Sequence, residues 1–214
     1  MLSWGELVEL ADLQRSLGAN RGIAPDAIVT VTPMRVATVI ALDDTGHRKP
    51  VTMRWGLGGN DTSSAKPHIH ARAETIDVKP AFREAFRYRR GIVAVTTFNE
   101  GREITPTKTE QHVLTPKDDA PVGIAVIWER RHDPQNGALL SFAMVPVPPN
   151  AVVATITDRM PALIAAADWP QWLGETPVPL AALKALLRPS ARTLDLQKAV
   201  KPRRKPDKGQ PSLF

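Results

Sequence analysis

Arg89-Arg90-Gly91-Ile92-Val93-Ala94-Val95-Thr96-Thr97-Phe98-Asn99-Glu100 opens on two guanidinium groups and closes on a carboxylate. Between them lies a run dominated by β-branched and apolar side chains. Val, Ile and Thr are stiff at χ1 and suit a pleated strand, so residues 91–98 read as a strand, with Glu100 at the edge where a loop starts. Upstream, Pro80 begins a short helix in which Phe82, Ala85 and Phe86 share one face. Residues 28–42, broken near Pro33, are a further strand region, as are 51–55, 122–128, 139–147 and 151–156. Helical stretches follow around 169–173 and 180–187. At the start, Ser3-Trp4-Gly5-Glu6 has the form of a capping box, Leu7, Leu10 and Leu13 recur at helical spacing, and Gly18 ends the segment, which predicts a helix over 3–17. Strands and helices do not alternate regularly enough for a doubly wound parallel sheet. The expectation is an α+β domain dominated by antiparallel strands.

The 214 residues are 43% apolar, enough for a proper core, while aromatics are 5% and prolines number 20. Many short strands and turns suit that composition better than a helical bundle. No apolar run reaches the length of a membrane span, and no basic segment followed by an apolar one marks a secretory signal. We therefore expect a cytoplasmic protein with no membrane partner. The chain has no cysteine, which removes disulfides, thiolate metal sites and thiol nucleophiles. His68-Ile69-His70 has strand spacing for two metal ligands, but no third ligand is near in sequence, so neither a metal nor a cofactor is expected.

Net charge is +6, of which Lys198, Lys201, Arg203, Arg204, Lys205 and Lys208 against Asp207 supply +5. A DNA-binding surface must then come from local clustering in the body or from the tail. Arg83, Arg87, Arg89 and Arg90 with Tyr88 form one cluster, readable as a solvated helix face or as phosphate contacts. Trp55 reads either as a base-stacking platform or as a core residue; Trp128, Trp169 and Trp172 read as packing residues.

Three further segments carry polar chemistry. In His70-Ala71-Arg72-Ala73-Glu74-Thr75, alternation on a strand puts His70, Arg72 and Glu74 on one face. Arg159 precedes Met160-Pro161 at the end of another strand. Two arginines, a histidine and Glu100 at strand ends can bind a phosphate and position a proton-transfer group. Spacing alone favours the plainer reading, a surface ion-pair network.

Order and spacing tip that balance. Ala24-Pro25, Trp55-Gly56, Ala71-Arg72 with Glu74-Thr75, Arg89-Arg90 with Phe98 and Glu100, and Arg159-Met160-Pro161 together resemble the SOS-response-associated peptidase family, over roughly residues 22–175. That family shields abasic sites in single-stranded DNA. The resemblance implies a bifurcated, barrel-like sheet with flanking helices and a cationic groove for single-stranded DNA. It implies DNA contacts at Pro25, Trp55, Gly56, His70, Arg72 and Arg159, and proton transfer at Glu100. In the family an N-terminal cysteine closes a thiazolidine on the abasic aldehyde and, in some members, releases a leader peptide.

The chain departs from that pattern where the chemistry lies. It has no cysteine, and Leu2 follows Met1. Thr157 stands where the family has its histidine, and a hydroxyl titrates too high to act as a base near neutral pH. His70 replaces an asparagine, and Asn99 and Gly101 replace aromatics. Two accounts fit: a drifted member that binds abasic DNA without crosslinking, or an active crosslinking enzyme and autopeptidase whose start is assigned about seven residues late. A protein–protein adaptor on the same fold is a third reading.

The domain is expected over 1–190, followed by a basic, Pro-rich flexible tether over 191–209. The final Gln210-Pro211-Ser212-Leu213-Phe214 resembles the pentapeptide by which bacterial repair proteins dock on the β sliding clamp. Leu213 and Phe214 would be its apolar anchors and Gln210 its polar rim contact.

Overall fold

A computed structural model describes residues 30–58, 66–133 and 137–199. The helix expected over 3–17, Pro25, most of the loop at 57–67 and the terminal Gln210, Leu213 and Phe214 lie outside the described residues.

The first two strands, β1 (Val36–Leu42) and β2 (Arg48–Trp55), form an antiparallel hairpin. Asp43 closes its turn by accepting backbone N–H bonds from Thr45 and His47 at 2.9 and 3.0 Å. Helix α1 (Arg83–Tyr88) leads directly into β3 (Arg90–Val95). A second hairpin follows, β4 (Phe98–Thr105) and β5 (Lys108–Pro116). The long β6 (Val122–Asp133) pairs antiparallel with β7 (Gly137–Met144), and β8 (Pro146–Val147) extends that line. Two-residue strands β9 (Met160–Pro161) and β10 (Leu163–Ile164) precede helices α2 (Trp169–Leu173) and α3 (Leu180–Ala185). Strand β11 (Leu194–Lys198) ends the described chain. The fold is α+β and mainly antiparallel.

The main sheet runs β10-β6-β3-β1-β2-β7, and the β6–β7 pairing closes it into a ring. The closing contact between β2 and β7 is parallel, Arg54 opposite Ser141 and Trp55 opposite Phe142. The sheet forks along one edge of β6. Ile124 has Val93 of β3 on one side and Leu163 of β10 on the other; from Val126 onward that second side pairs with β7. Closure removes free edges, and each ring strand is buried where it faces the interior. Val39, Met53, Ile92, Val126, Ile127 and Phe142 are almost fully buried. Gly91 is required by close approach: a Cβ there would sit 2.5 Å from Val39 Cγ1 and 3.1 Å from the Ile40 carbonyl oxygen.

Outside the ring, Phe86 of α1 meets Trp172 of α2 with centroids 6.2 Å apart. The tryptophans are packing residues, Trp169 and Trp172 buried and Trp128 half-buried. Their indole N–H groups donate to backbone carbonyls: Trp172 to Gly91 (2.9 Å), Trp169 to Ile164 (3.0 Å) and Trp128 to Arg90 (3.2 Å). Arg90 is itself buried, and its guanidinium donates to the carbonyls of Phe86, Arg87 and Trp172. It is thus no part of the surface arginine cluster that its sequence neighbours suggest. Burial lowers its pKa from the ordinary arginine value, although the group stays charged.

Three local readings change. Residues 151–156, β-rich by composition, hold a 3₁₀ turn at Val153–Thr155. Asn150 Oδ1 accepts the Val153 N–H at 3.0 Å, a local bond that outweighs β-propensity. Glu100 lies inside β4, opposite His112, rather than where a strand gives way to a loop. The β4–β5 hairpin is polar on both faces over much of its length, which hides it from a search for apolar alternation. Finally, β11 lies within the stretch assigned to the tether. Arg192 anchors its approach, donating to both Asp118 carboxylate oxygens and to the carbonyls of Ala120 and Pro121. Leu194 is buried and residues 194–198 pair with β5.

Replacing Arg90 with Met should leave three inward carbonyls without donors. We expect a loss of about 3 kcal/mol, seen as a fall in melting temperature of roughly 6–12 °C. Arg90→Lys should not restore stability, because a single ammonium cannot reproduce the fork. An unchanged melting temperature in Arg90→Met would refute this role.

Candidate nucleic-acid interface

At the open end of the ring, where β7 passes into β8, residues 69–73 run alongside. Met144 N–H donates to the Ile69 carbonyl (3.0 Å), Ala71 N–H to that of Met144 (2.8 Å) and Ala73 N–H to that of Pro146 (3.1 Å). His70 forms only an isolated bridge to Met144, and the chain then turns, so this is not the strand that alternation suggests. The alternation itself holds. Ala71 and Ala73 are buried, while His70, Arg72 and Glu74 are exposed. Small residues inside fix the segment against β7 and leave the polar ones open to solvent. Across from it, β9 pairs with β8, Pro146 opposite Pro161 and Val147 opposite Met160, which brings Thr157, Asp158 and Arg159 to the same place.

The result is a cleft of about 610 Å³ in which His70, Arg72, Glu100, Thr157 and Arg159 share one lining. Five positions spread over ninety residues of sequence thus converge. His68, Lys79 and Asp158 also line it, with Phe82, Met144 and Met160 among its apolar walls. No sequence motif singles out Lys79. Its signal is only its place just before Pro80, at the approach to α1.

Arg72 makes no salt bridge or side-chain hydrogen bond among the described residues. Arg159 is ion-paired with Glu74, and that pairing holds the Glu74 carboxyl below its usual range. The turn bearing Glu74 is pinned from α3: Lys184 Nζ bonds Asp77 Oδ1 at 2.6 Å and reaches the Glu74 carbonyl at 3.3 Å. His70 titrates below the ordinary 6.5, chiefly because the cleft walls desolvate it and secondly because Arg72 is near. It is therefore neutral at pH 7, a hydrogen-bonding group rather than a fixed cation. Burial pushes Glu100 up to about 7, so both of its protonation states are populated near neutral pH.

Trp55 and Gly56 stand behind the cleft. The Trp55 indole donates to the Ile69 carbonyl at 2.9 Å and stacks on Phe142 with centroids 6.1 Å apart. It thereby props the backbone that carries His70. Gly56 is buried at φ +144°, a value side-chain-bearing residues rarely adopt, with Met34 and Pro67 against it. On α1 the basic Arg83 and Arg87 and the aromatic Tyr88 are exposed, and the Arg87 guanidinium lies over the Tyr88 ring. No helix of the described residues is long and apolar enough to cross a membrane.

The family model for SOS response associated peptidase (SRAP) matches residues 7–202. The chain belongs to the SRAP family. Curated relatives include the abasic site processing protein YoqW of Bacillus subtilis, 26% identical over 69% of this chain and 67% of its own length. Another is the abasic site processing protein YoaM of the same bacterium, 29% identical over 69% of this chain and 66% of its own length. The chain thus spans about two thirds of these SRAP relatives. Two crystal structures share the fold. One, from Bordetella bronchiseptica, has a TM-score of 0.69 at 21% identity and covers 88% of this chain and 96% of its own. The other, from Bacteroides thetaiotaomicron, has a TM-score of 0.67 at 23% identity and covers 77% and 74%.

The shifted Glu100 predicts a pH dependence. Its folded pKa lies above the ordinary 4.5, so the folded state holds the extra proton between about 4.5 and 7. Stability contributed by the neutral acid is complete below that window and is lost as pH rises through it. Thermal melts of the wild type and Glu100→Gln across pH 4.5–8 should diverge in that direction, the wild type alone losing ground. Parallel curves would mean that the carboxylate is fully solvated.

Proposed function

We propose that the cleft binds single-stranded DNA carrying an abasic site, in the DNA-damage response, without thiol capture. The observation that carries this reading is the convergence of His70, Arg72, Glu100, Thr157 and Arg159 on one open, cationic lining. Membership of the SRAP family and the names of its abasic-site-processing relatives support it. Arg72 takes a phosphate with its unpaired guanidinium, and Arg159 takes a second on exchanging Glu74 for DNA. Neutral His70 hydrogen-bonds the sugar where the family uses an asparagine amide. Glu100 relays protons at the sugar. Thr157 offers a hydroxyl but no base. Trp55 and Gly56 shape the wall rather than contact the strand. A thiazolidine requires a cysteine, and the sequence given has none, so the reading is of binding without thiol capture.

Anisotropy titrations with an abasic single-stranded oligonucleotide over a salt series test the assignment. Arg72→Ala and Arg159→Ala should each flatten the log–log salt dependence by about 0.7. Glu74→Gln should tighten binding by releasing Arg159. Salt slopes unchanged in both arginine variants would place the DNA elsewhere.

We also propose that Gln210-Pro211-Ser212-Leu213-Phe214 docks on a bacterial β sliding clamp, with Leu213 and Phe214 as anchors and Gln210 at the rim. The support is the motif itself at the end of the sequence given. A peptide of residues 205–214 should bind clamp at micromolar or weaker affinity, of order −8 kcal/mol or less. Replacing Leu213 and Phe214 with alanine should abolish it. Equal binding by the alanine peptide, or none by the native one, rejects the docking.

A further inference from the structure

We propose that Lys79 is the covalent group of the cleft, capturing the ring-opened abasic aldehyde as an imine. This rests on the reading of the cleft as an abasic-DNA site. Lys79 lines the same cavity as Glu100, His70, Arg72 and Arg159. Its backbone is fixed at the approach to α1: its N–H donates to the Thr75 carbonyl (3.0 Å), and its own carbonyl accepts from Phe82 and Arg83 (both 2.9 Å). The backbone is held while the side chain is exposed. Among the described residues Lys79 has no salt bridge or side-chain hydrogen bond, whereas Lys49, Lys184 and Lys198 are tied to Asp43, Asp77 and Glu110. A guanidinium is no nucleophile, so among the described lining residues the amine able to form a Schiff base is Lys79.

The chemistry balances without a redox partner. Deprotonated Nζ attacks the aldehyde carbon, a C–N bond forms, and the carbonyl π pair moves to oxygen, which takes a proton. Nitrogen sheds a proton to give the neutral carbinolamine. Glu100 protonates its hydroxyl, water leaves, the nitrogen lone pair completes C=N as the protonated imine, and the Glu100 carboxylate takes back the N–H proton. One aldehyde and one amine yield one imine and one water, and hydrolysis reverses each step. Glu100 suits both directions because it exchanges protons near neutral pH. Arg72 and Arg159 hold the flanking phosphates and so present the aldehyde to the amine.

The test uses the full chain and a single-stranded oligonucleotide with one abasic site, with and without borohydride, read on a denaturing gel. Borohydride donates hydride to the imine and leaves a stable secondary amine. An adduct should appear with borohydride and vanish without it under heat and detergent. Peptide mass mapping should place the adduct on Lys79. Lys79→Arg keeps the charge and should cut the trapped yield at least about ten-fold. A trapped adduct mapped to another amine, Met1 included, or undiminished in a folded Lys79→Arg variant, overturns the proposal. If the wild type binds the oligonucleotide by anisotropy but traps nothing, the imine fails and the binding function stands. If it neither binds nor traps, both fail.

Discussion

The buried guanidinium of Arg90 is the constraint on which the rest of the structure hangs. It emerges at the junction of α1 and β3 and donates to carbonyls at the end of α1 and in α2. The neighbouring backbone repays the contact, since the Arg90 and Gly91 carbonyls accept the indole protons of Trp128 and Trp172. One short segment thus locks two helices onto the ring from outside. Gly91 lets β3 press against β1 on the inside. A buried charge is tolerated only when its hydrogen bonds are satisfied; here the helix-end carbonyls, which have no partners of their own, serve that need. Because α1 follows directly from the residues around Lys79 and Phe82, fixing α1 also fixes one wall of the cleft.

The cleft is electrostatically graded. Arg72 is open to an anion, Arg159 is shared with Glu74, and His70 is neutral. Glu100 is poised between its two forms. A phosphate entering such a site meets Arg72 at once and Arg159 after an ion-pair exchange. That exchange costs little, because a half-exposed pair on the surface contributes only about 0–1 kcal/mol. His70 and Arg72 are carried by a segment locked through backbone hydrogen bonds to β7 and β8, Arg159 directly precedes β9, which pairs with β8, and Glu100 is held in β4 against β5, so their positions do not depend on side-chain pairing. This separates scaffold from chemistry: a side chain such as that of Thr157 lines the cleft without holding the backbone that presents it.

Much of this was legible in the residues. The β-rich runs read at 28–42, 51–55, 91–98 and 122–128 contain ring strands over 36–42, 48–55, 90–95 and 122–133, and the apolar triad Phe82, Ala85 and Phe86 is buried, Phe82 just before α1 and the other two on it. The motif segments were recognisable by their order and spacing, and the absence of cysteine was plain. The β4–β5 hairpin was not legible, since its alternation is polar on polar. Nor was β11: Leu194-Asp195-Leu196-Gln197-Lys198 is five residues long and borders the basic, Pro-rich tail, and only β5 supplies a partner for its backbone.

What the sequence determined by itself was therefore local: which segments favour strand or helix, which side chains carry charge, and which chemistry is excluded for want of a thiol. These follow from side-chain sterics and functional groups and need no neighbour. Tertiary structure alone decided that Arg90 is a core residue while Arg72 is open to solvent, although both are arginines beside small residues. It also decided that Lys79 faces the same cavity as Glu100, and that Glu100 titrates near neutrality while Glu74 stays ionised. Burial and the distance to an opposite charge set those properties, and neither exists until the ring has closed.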